Sequence, residues 1–380
     1  MKNVVIAGAG ITGCFTAYFL GRLGIRTTLV ERSKVADQAS GHNPGGLNPL
    51  HGPGIPGPML PLALRSFRLH HQHAPEIARL SGSPAIIQRV SRIELAFDES
   101  ESIELSATRD LYEDTEGFAA RWMDQRSLLA EEPRCHPDAA GGLFLEGNGM
   151  IESASYTAAA CQAAQKLGVE LRYGAVLGLK HAGSRVNAVT TSAGEIGCDA
   201  LVLATGPFME EAERWLGLSI PVRPLKGQLL RAALPDPPFR HHLTWKAIGV
   251  YHLPGGNAWL GGTQENAGYD LEPTAEGREA ILEAVSRLAP CLRDARILSH
   301  EAALRPSTPD GLPLLGRAPG WDNVFLASGA GTKGMLLGAG LGEAAACLVA
   351  DCVPLLNMEC FSPERFNPPV RPVVHHNSPS

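Results

Sequence analysis

The sequence has no C-x-x-C pair, no Cys/His spacing suited to zinc, and no run of three Lys or Arg residues. The first two absences leave no expected metal site, and eight dispersed cysteines fit a reducing cytosol. The third, with a net charge of −6, removes the electrostatic footprint of a protein that binds a nucleic-acid backbone or an anionic membrane. A small solute is the expected partner. No uninterrupted segment reaches the roughly 18 apolar residues of a membrane helix. The apolar stretch from Val4 to Leu20 follows Lys2 as a signal peptide would, yet Gly8, Gly10 and Gly13 interrupt it and a strand pattern comes next. A cytoplasmic protein without membrane insertion is therefore expected. Charged residues are scarce at 19%, and the 44% apolar content supplies more than one core, which excludes disorder as the main state. At 380 residues the chain is long enough for two domains, and 42 glycines and 29 prolines imply many tight turns.

Along the chain, residues 2–7 (KNVVIA) read as a buried strand, 12–23 as a helix of small and apolar residues, and 27–31 (TTLVE) as a second strand. This is the opening of a parallel βαβ unit. Residues 40–61 are too rich in Gly and Pro for either regular element and predict a long loop, the kind that tends to carry function. Helical patterns follow at Leu62 to Arg79 and Arg126 to Glu132, with a strand pattern at 93–97 between them. Ala154 to Leu167 reads as a helix, residues 169–203 as short strands, and 220–305 as further strands with one helix at Thr274 to Ala289. A strand at 323–329 and a helix from Met335 to Leu348 close the periodic part; no internal repeat is present, and the tail after Phe366 has no periodicity.

Gly8-Ala9-Gly10-Ile11-Thr12-Gly13 lies between the first strand and the first helix, and Glu31 ends the second strand. In that context the glycines serve a tight turn, close approach of a pyrophosphate to the helix N-terminus, and helix–sheet packing, while Glu31 accepts from a ribose. The fingerprint alone does not separate NAD from FAD. The loop from Ser40 to Gly46 and the distant Ser328-Gly329-Ala330-Gly331-Thr332-Lys333-Gly334-Met335 decide it, because a cofactor touched by both ends of one chain is long, as FAD is.

With these pieces, Ala204-Thr205-Gly206-Pro207, Pro224 to Gln228, Tyr251-His252-Leu253-Pro254, Gly262-Thr263 and Leu304-Arg305-Pro306 through Pro313, the chain resembles the FAD-dependent D-amino-acid oxidase superfamily. Its glycine oxidase, sarcosine oxidase and D-amino-acid dehydrogenase branches are the nearest in pattern, and the pieces run in order over essentially the whole chain. The resemblance implies an α/β protein: a Rossmann-type FAD-binding domain with a discontinuous second domain on a mainly antiparallel sheet. The expected segments are 1–80, 146–218 and 306–366 for the FAD-binding domain, 81–145 and 219–305 for the substrate domain, and a disordered tail at 367–380.

The resemblance also implies oxidation of the C–N bond of a small amino acid or secondary amine by hydride transfer to flavin N5. It places FAD against Gly8, Gly10, Ile11, Thr12, Gly13, Glu31, Arg32, Ser40, Asn43, Gly45, Gly46, Val176, Thr205, Gly206, Gly329, Gly331, Thr332, Lys333, Gly334 and Met335. Arg305 is the expected carboxylate anchor, since a planar guanidinium holds a carboxylate by two parallel hydrogen bonds; the bland alternative pairs it with Asp310 or a main-chain carbonyl. Tyr251 is its expected partner and Lys333 the cation near the flavin, so these three form the expected catalytic set. Asn48 and His51, in the long loop, are candidate substrate contacts, with His252 and Trp245 as weaker ones. Ala303 occupies the position where the sarcosine oxidase branch carries its flavin-linking cysteine, which implies noncovalent FAD; Ala330 replaces a common family histidine. Electrons would pass to O₂ or to a carrier such as a quinone. Oxidation of a 2-hydroxy acid, a tRNA-modifying flavoprotein and a non-enzymatic flavin subunit are the rival expectations.

Overall fold

The computed structural model describes residues 2–234, 239–253 and 255–367. The expected tail beyond Asn367 and Pro254 of the quoted motif lie outside them.

Strands Asn3–Ala7 and Ala200–Leu203 are near-continuous apolar runs, the pattern of strands buried on both faces, and Arg26–Glu31 is buried from Thr27 to Val30. They form the middle of a six-stranded sheet in the order 314–317, 324–328, 200–203, 3–7, 26–31, 170–173, parallel except for the edge strand Leu314–Arg317. Along the first strand Val4 and Ile6 enter one core and Val5 and Ala7 the other. On the first face pack helices Ile11–Arg22, Leu60–Ser81, Ser153–Lys166 and Gly334–Val349. On the second lie helix Glu210–Leu216 and a three-stranded meander of 176–182, 185–191 and 194–197.

Gly338 and Gly342, four residues apart on the last helix, bring its backbone onto Ile11 and Phe15 of the first, where an added Cβ would stand 2.7 and 2.6 Å from their side chains. The start of that helix is fixed by His70, whose Nε2–H donates to the Leu336 carbonyl at 3.0 Å while Nδ1 accepts from the Tyr156 hydroxyl at 3.0 Å. Burial holds this imidazole neutral, its pKa down to about 4.

The second sheet has nine strands, in the order 296–307, 223–233, 257–261, 248–253, 242–245, 88–96, 141–150, 46–47, with 119–124 also pairing with 141–150. Only the pairing of His242–Trp245 with Gln88–Ala96 is parallel. Helix Ala275–Leu288 covers it with Ile281, Leu282, Val285 and Leu288, and its first turn is capped by the Thr274 side chain accepting from the Gly277 N–H.

Several elements differ from the sequence reading. Strand Gly141–Met150 was hidden by its glycines, which are there because a Cβ at Gly141 or Gly142 would meet Met123 O or Ile93 Cγ2 at 2.4 and 2.7 Å. Helices Glu99–Glu104 and Ser106–Glu113 have no wide apolar stripe; the first is nucleated by Asp98, which accepts from the Glu101 N–H at 2.9 Å. The 40–61 loop is mostly irregular, but Gly46–Leu47 pairs with Met150 and Gly149 and so joins the second sheet. The expected boundaries at 145/146 and 305/306 fall inside strands Gly141–Met150 and Arg296–Ser307; the first pairs continuously with Ala119–Asp124 through that point, although its register with Gln88–Ala96 shifts there, and the second keeps its register with Arg223–Ala233. Among the described residues no helix is long and apolar enough to cross a membrane.

Candidate active site

A cavity of about 560 Å³ runs between the two sheets. Its size falls in the range of small-molecule sites, about 300 to 1,000 Å³. One end is built at the glycine turn. Gly8 sits at φ +103°, and a Cβ there would stand 2.4 Å from the Ala204 carbonyl oxygen. Gly10 opens the first helix, whose Ile11 N–H donates to Ser40 Oγ at 3.0 Å. Glu31 is held by Ala9 N–H on Oε2 at 2.8 Å and Ser33 N–H on Oε1 at 3.0 Å, which pins its carboxylate on the wall. Gln38, also on the wall, keeps a buried Oε1 without a hydrogen-bond partner.

Arg32 lies with its guanidinium 3.3 Å from the Phe208 ring centroid, and both line the cavity with Val176, Thr205 and Gly206. Gly331, Thr332, Lys333, Gly334 and Met335 line it from the start of the last helix, Thr12 from the first helix, and Ser40, Asn43 and Gly46 from the loop. Three expected cofactor glycines stand behind the wall. Gly13, Gly45 and Gly329 face backbone or side chains: an added Cβ would meet Gly8 O at 1.9 Å, Ile151 O at 1.8 Å and Thr308 Cγ2 at 2.7 Å. They shape the site from outside. The Asn43 side chain is likewise spent on its own loop, accepting from Gly45 N–H and Ser153 Oγ and donating to Ala39 O.

At the other end Arg305 and Tyr251 project from neighbouring regions of the second sheet. The guanidinium lies flat over Gly227, where a Cβ would be only 2.0 to 2.2 Å from its Nη1, Cζ and Nη2. The Tyr251 ring folds over Gly249 in the same way, 2.4 Å from a Cβ there to Cζ. Each long side chain therefore has a glycine as its floor. Among the described residues Arg305 makes one hydrogen bond, Nη1 to Thr263 O at 2.9 Å, while Asp310 is taken by Arg365. The carbonyl half of the bland expectation is met, and donors of the guanidinium are left for a ligand.

Lys333 bonds through Nζ to the carbonyls of Asn48, at 3.1 Å, and of His51. Burial and then the charge of Arg92 lower its ammonium to about 7. His51 is kept neutral by burial, with Arg92 and Lys333 adding to the effect. Asn48 and His51 both line the cavity, as does Ala303. Among the described residues no cysteine is on that wall. Trp245 and His252 are off it: Trp245 donates to Glu101 and meets Phe97 edge-on, and His252 packs edge-on to His242.

The reading of the sequence missed Arg92, Glu94 and Thr244, which line the substrate end. Their signal was present in QRVSRIELA, where Arg92 and Glu94 share one face of the strand while Ile93 and Leu95 point to the core.

A doubly covered parallel sheet whose glycine turn opens onto a long cavity, closed at its far end by an arginine and a tyrosine, is the layout of a nucleotide-dependent oxidoreductase. The chain belongs to the DAO family, FAD dependent oxidoreductase, which matches residues 3–348. It is 28% identical to the glycine oxidase of Pseudomonas aeruginosa, over 95% of this chain and 98% of that protein. It is 29% identical to the bifunctional protein ThiO/ThiG of Synechocystis over 97% of its own length, and spans 55% of that longer protein. The crystal structure of glycine oxidase from Geobacillus kaustophilus superposes with a TM-score of 0.89 at 25% identity, covering 95% of this chain and 98% of that one.

The residues present fit FAD. The pinned Glu31 carboxylate and the unpartnered Gln38 oxygen offer acceptors to hydroxyl groups, and Gly8 and Gly10 put the backbone of the turn on the cavity wall, where a phosphate would meet the start of the first helix.

Proposed function

We propose that this enzyme oxidises the C–N bond of a small amino acid or secondary amine to an imine, which water hydrolyses to a keto acid or aldehyde and ammonia or an amine. The observation that carries this reading is Arg305, half-buried on its glycine floor with one carbonyl partner and free donors facing the cavity. FAD, when bound, supplies the acceptor for the hydride. Arg305 holds the substrate carboxylate through a planar fork and so sets the direction of the Cα–H bond; Tyr251 adds a hydroxyl at the same end. The amine reacts in its neutral form, its proton having left to water, and no side-chain base is needed. Lys333, in its protonated form, and the start of the last helix would supply positive charge to a reduced flavin held there. The eight unpaired thiols support a reducing compartment, the cytoplasm.

The test is anaerobic bleaching of the holoenzyme's visible spectrum by glycine, sarcosine, D- and L-amino acids, proline analogues and 2-hydroxy acids, followed by air. Bleaching by an amine is expected, with fast recovery marking an oxidase and persistent bleaching a dehydrogenase. Bleaching by hydroxy acids alone would overturn the C–N assignment.

A second prediction concerns Lys333. With a pKa of about 7 it is an ammonium below that pH and neutral above it. Binding of an unreactive carboxylate such as acetate is therefore expected to weaken as pH rises through about 7. His51, held well below its usual value, does not titrate there. In Lys333→Met that step should vanish; a titration curve of unchanged shape would remove Lys333 from the anion site.

A further inference from the structure

Arg92 stands in register with His242 and Leu145 on strand Gln88–Ala96 and turns onto the substrate end of the cavity. It is 5% exposed, and its Nε and Nη2 have no hydrogen-bond partner. Its nearest carboxylate is Glu94, with Nε and Oε2 3.9 Å apart, beyond hydrogen-bonding distance. Glu94 is already engaged by the Thr244 hydroxyl, and burial pushes its carboxyl toward the protonated form. A guanidinium this deep with two nitrogens unmatched is costly unless something delivers acceptors to them. Tyr251, on the same cavity wall, lies in the field of Arg92, Glu94 and Arg305. Lys333 adds a third basic group nearby, against Glu94 as the acid beside Arg92.

We propose that Arg92 is a second carboxylate subsite and that the substrate is an amino dicarboxylate, one carboxylate on Arg305 and Tyr251 and the other on Arg92; this rests on the amine-oxidation reading above. The dianion supplies the acceptors that the buried guanidinium lacks. A monocarboxylate such as glycine leaves them unfilled.

The experiment has two readouts on the holoenzyme. The first is perturbation of the flavin absorption by thiodiacetate and by acetate, neither of which carries an oxidisable amine. The second is kcat/KM for D-aspartate, D-glutamate and iminodiacetate against glycine, sarcosine and D-alanine. Thiodiacetate is expected to bind roughly tenfold to a hundredfold more tightly than acetate, the scale of hydrogen bonds to a charged group. At least one dicarboxylate should exceed every monocarboxylate in kcat/KM by a similar factor. Arg92→Gln should abolish both preferences, bringing thiodiacetate affinity down to that of acetate and dicarboxylate kcat/KM down to that of glycine in the same variant. Because that variant leaves Glu94 buried without its cation, Arg92→Gln/Glu94→Gln is made alongside and should lose the same preference.

Equal binding of thiodiacetate and acetate by the wild type, or an equal loss of both in the two variants, would overturn the subsite. Turnover of glycine without any dianion preference sinks the subsite and keeps amine oxidation. An Arg92-dependent preference for the dianion, with no amine turned over, upholds the subsite and sinks amine oxidation.

Discussion

Replacing Gly227 with alanine is expected to lower kcat/KM for the amine substrate by about 10²-fold, the cost of moving a reacting geometry by about 1 Å. The added methyl would sit 2.0 to 2.2 Å from three atoms of the Arg305 guanidinium, so the group must leave its floor. The atoms displaced belong to the far end of a flexible side chain, so the fold itself should be almost undisturbed: Tm and flavin content stay close to wild type. Arg305→Leu should fall at least as far in kcat/KM, and adding Gly227→Ala to it should cost little more, since the methyl then has nothing to displace. Steady-state kinetics of the two single variants and the double variant measure this. Full activity in Gly227→Ala would show that carboxylate binding does not depend on where Arg305 now lies.

The second large effect is at the other end of the cavity. Gly8→Ala places a Cβ 2.4 Å from the Ala204 carbonyl oxygen and 3.2 Å from Thr205 Cα, and forces a φ of +103° on a residue that rarely adopts it. Strain of this kind costs about 1 to 3 kcal/mol. Here it is relieved only by moving backbone that lines the cofactor end of the cavity, next to Gly206. FAD affinity should therefore drop by about tenfold to 10²-fold, the equivalent of that strain, and the purified protein should carry less flavin. Gly24→Ala is the control, because φ is +69° there but nothing lies within 4 Å of the new methyl. It should lower Tm while leaving flavin content intact. Equal flavin loss in both variants would mean that general destabilisation, and not the shape of the turn, governs binding.

These two predictions differ in how visible they were beforehand. Gly8 stands in a motif whose strand, turn, helix and acid are contiguous, so its role follows from local order along the chain. Gly227 stands in Pro224–Gln228 with nothing near it in sequence to mark it. It matters because strand Arg223–Ala233 pairs with Arg296–Ser307 in a register that sets Gly227 against Ala303 and leaves Arg305 room to lie across it. Asn43 is the converse, a residue in the right loop whose polar atoms turn out to be consumed by that loop.

By itself the sequence determined the buried central strands, the glycine turn with Glu31 and the small-residue final helix. Each depends on spacing within one element or one motif, which a linear chain displays directly; Arg305, Tyr251 and Lys333 were nominated by the family resemblance. Only the tertiary structure decided which glycines face the cavity and which support it from behind, that Trp245 and His252 stay off its wall, and that Arg92 and Glu94 stand on it. The period of a strand says that Arg92 and Glu94 share a face. What that face looks onto is set by strand order and register between residues far apart in sequence, here 88–96 beside 242–245 and 141–150. That information lives in the packing of the whole sheet, since no local interaction along the strand encodes it.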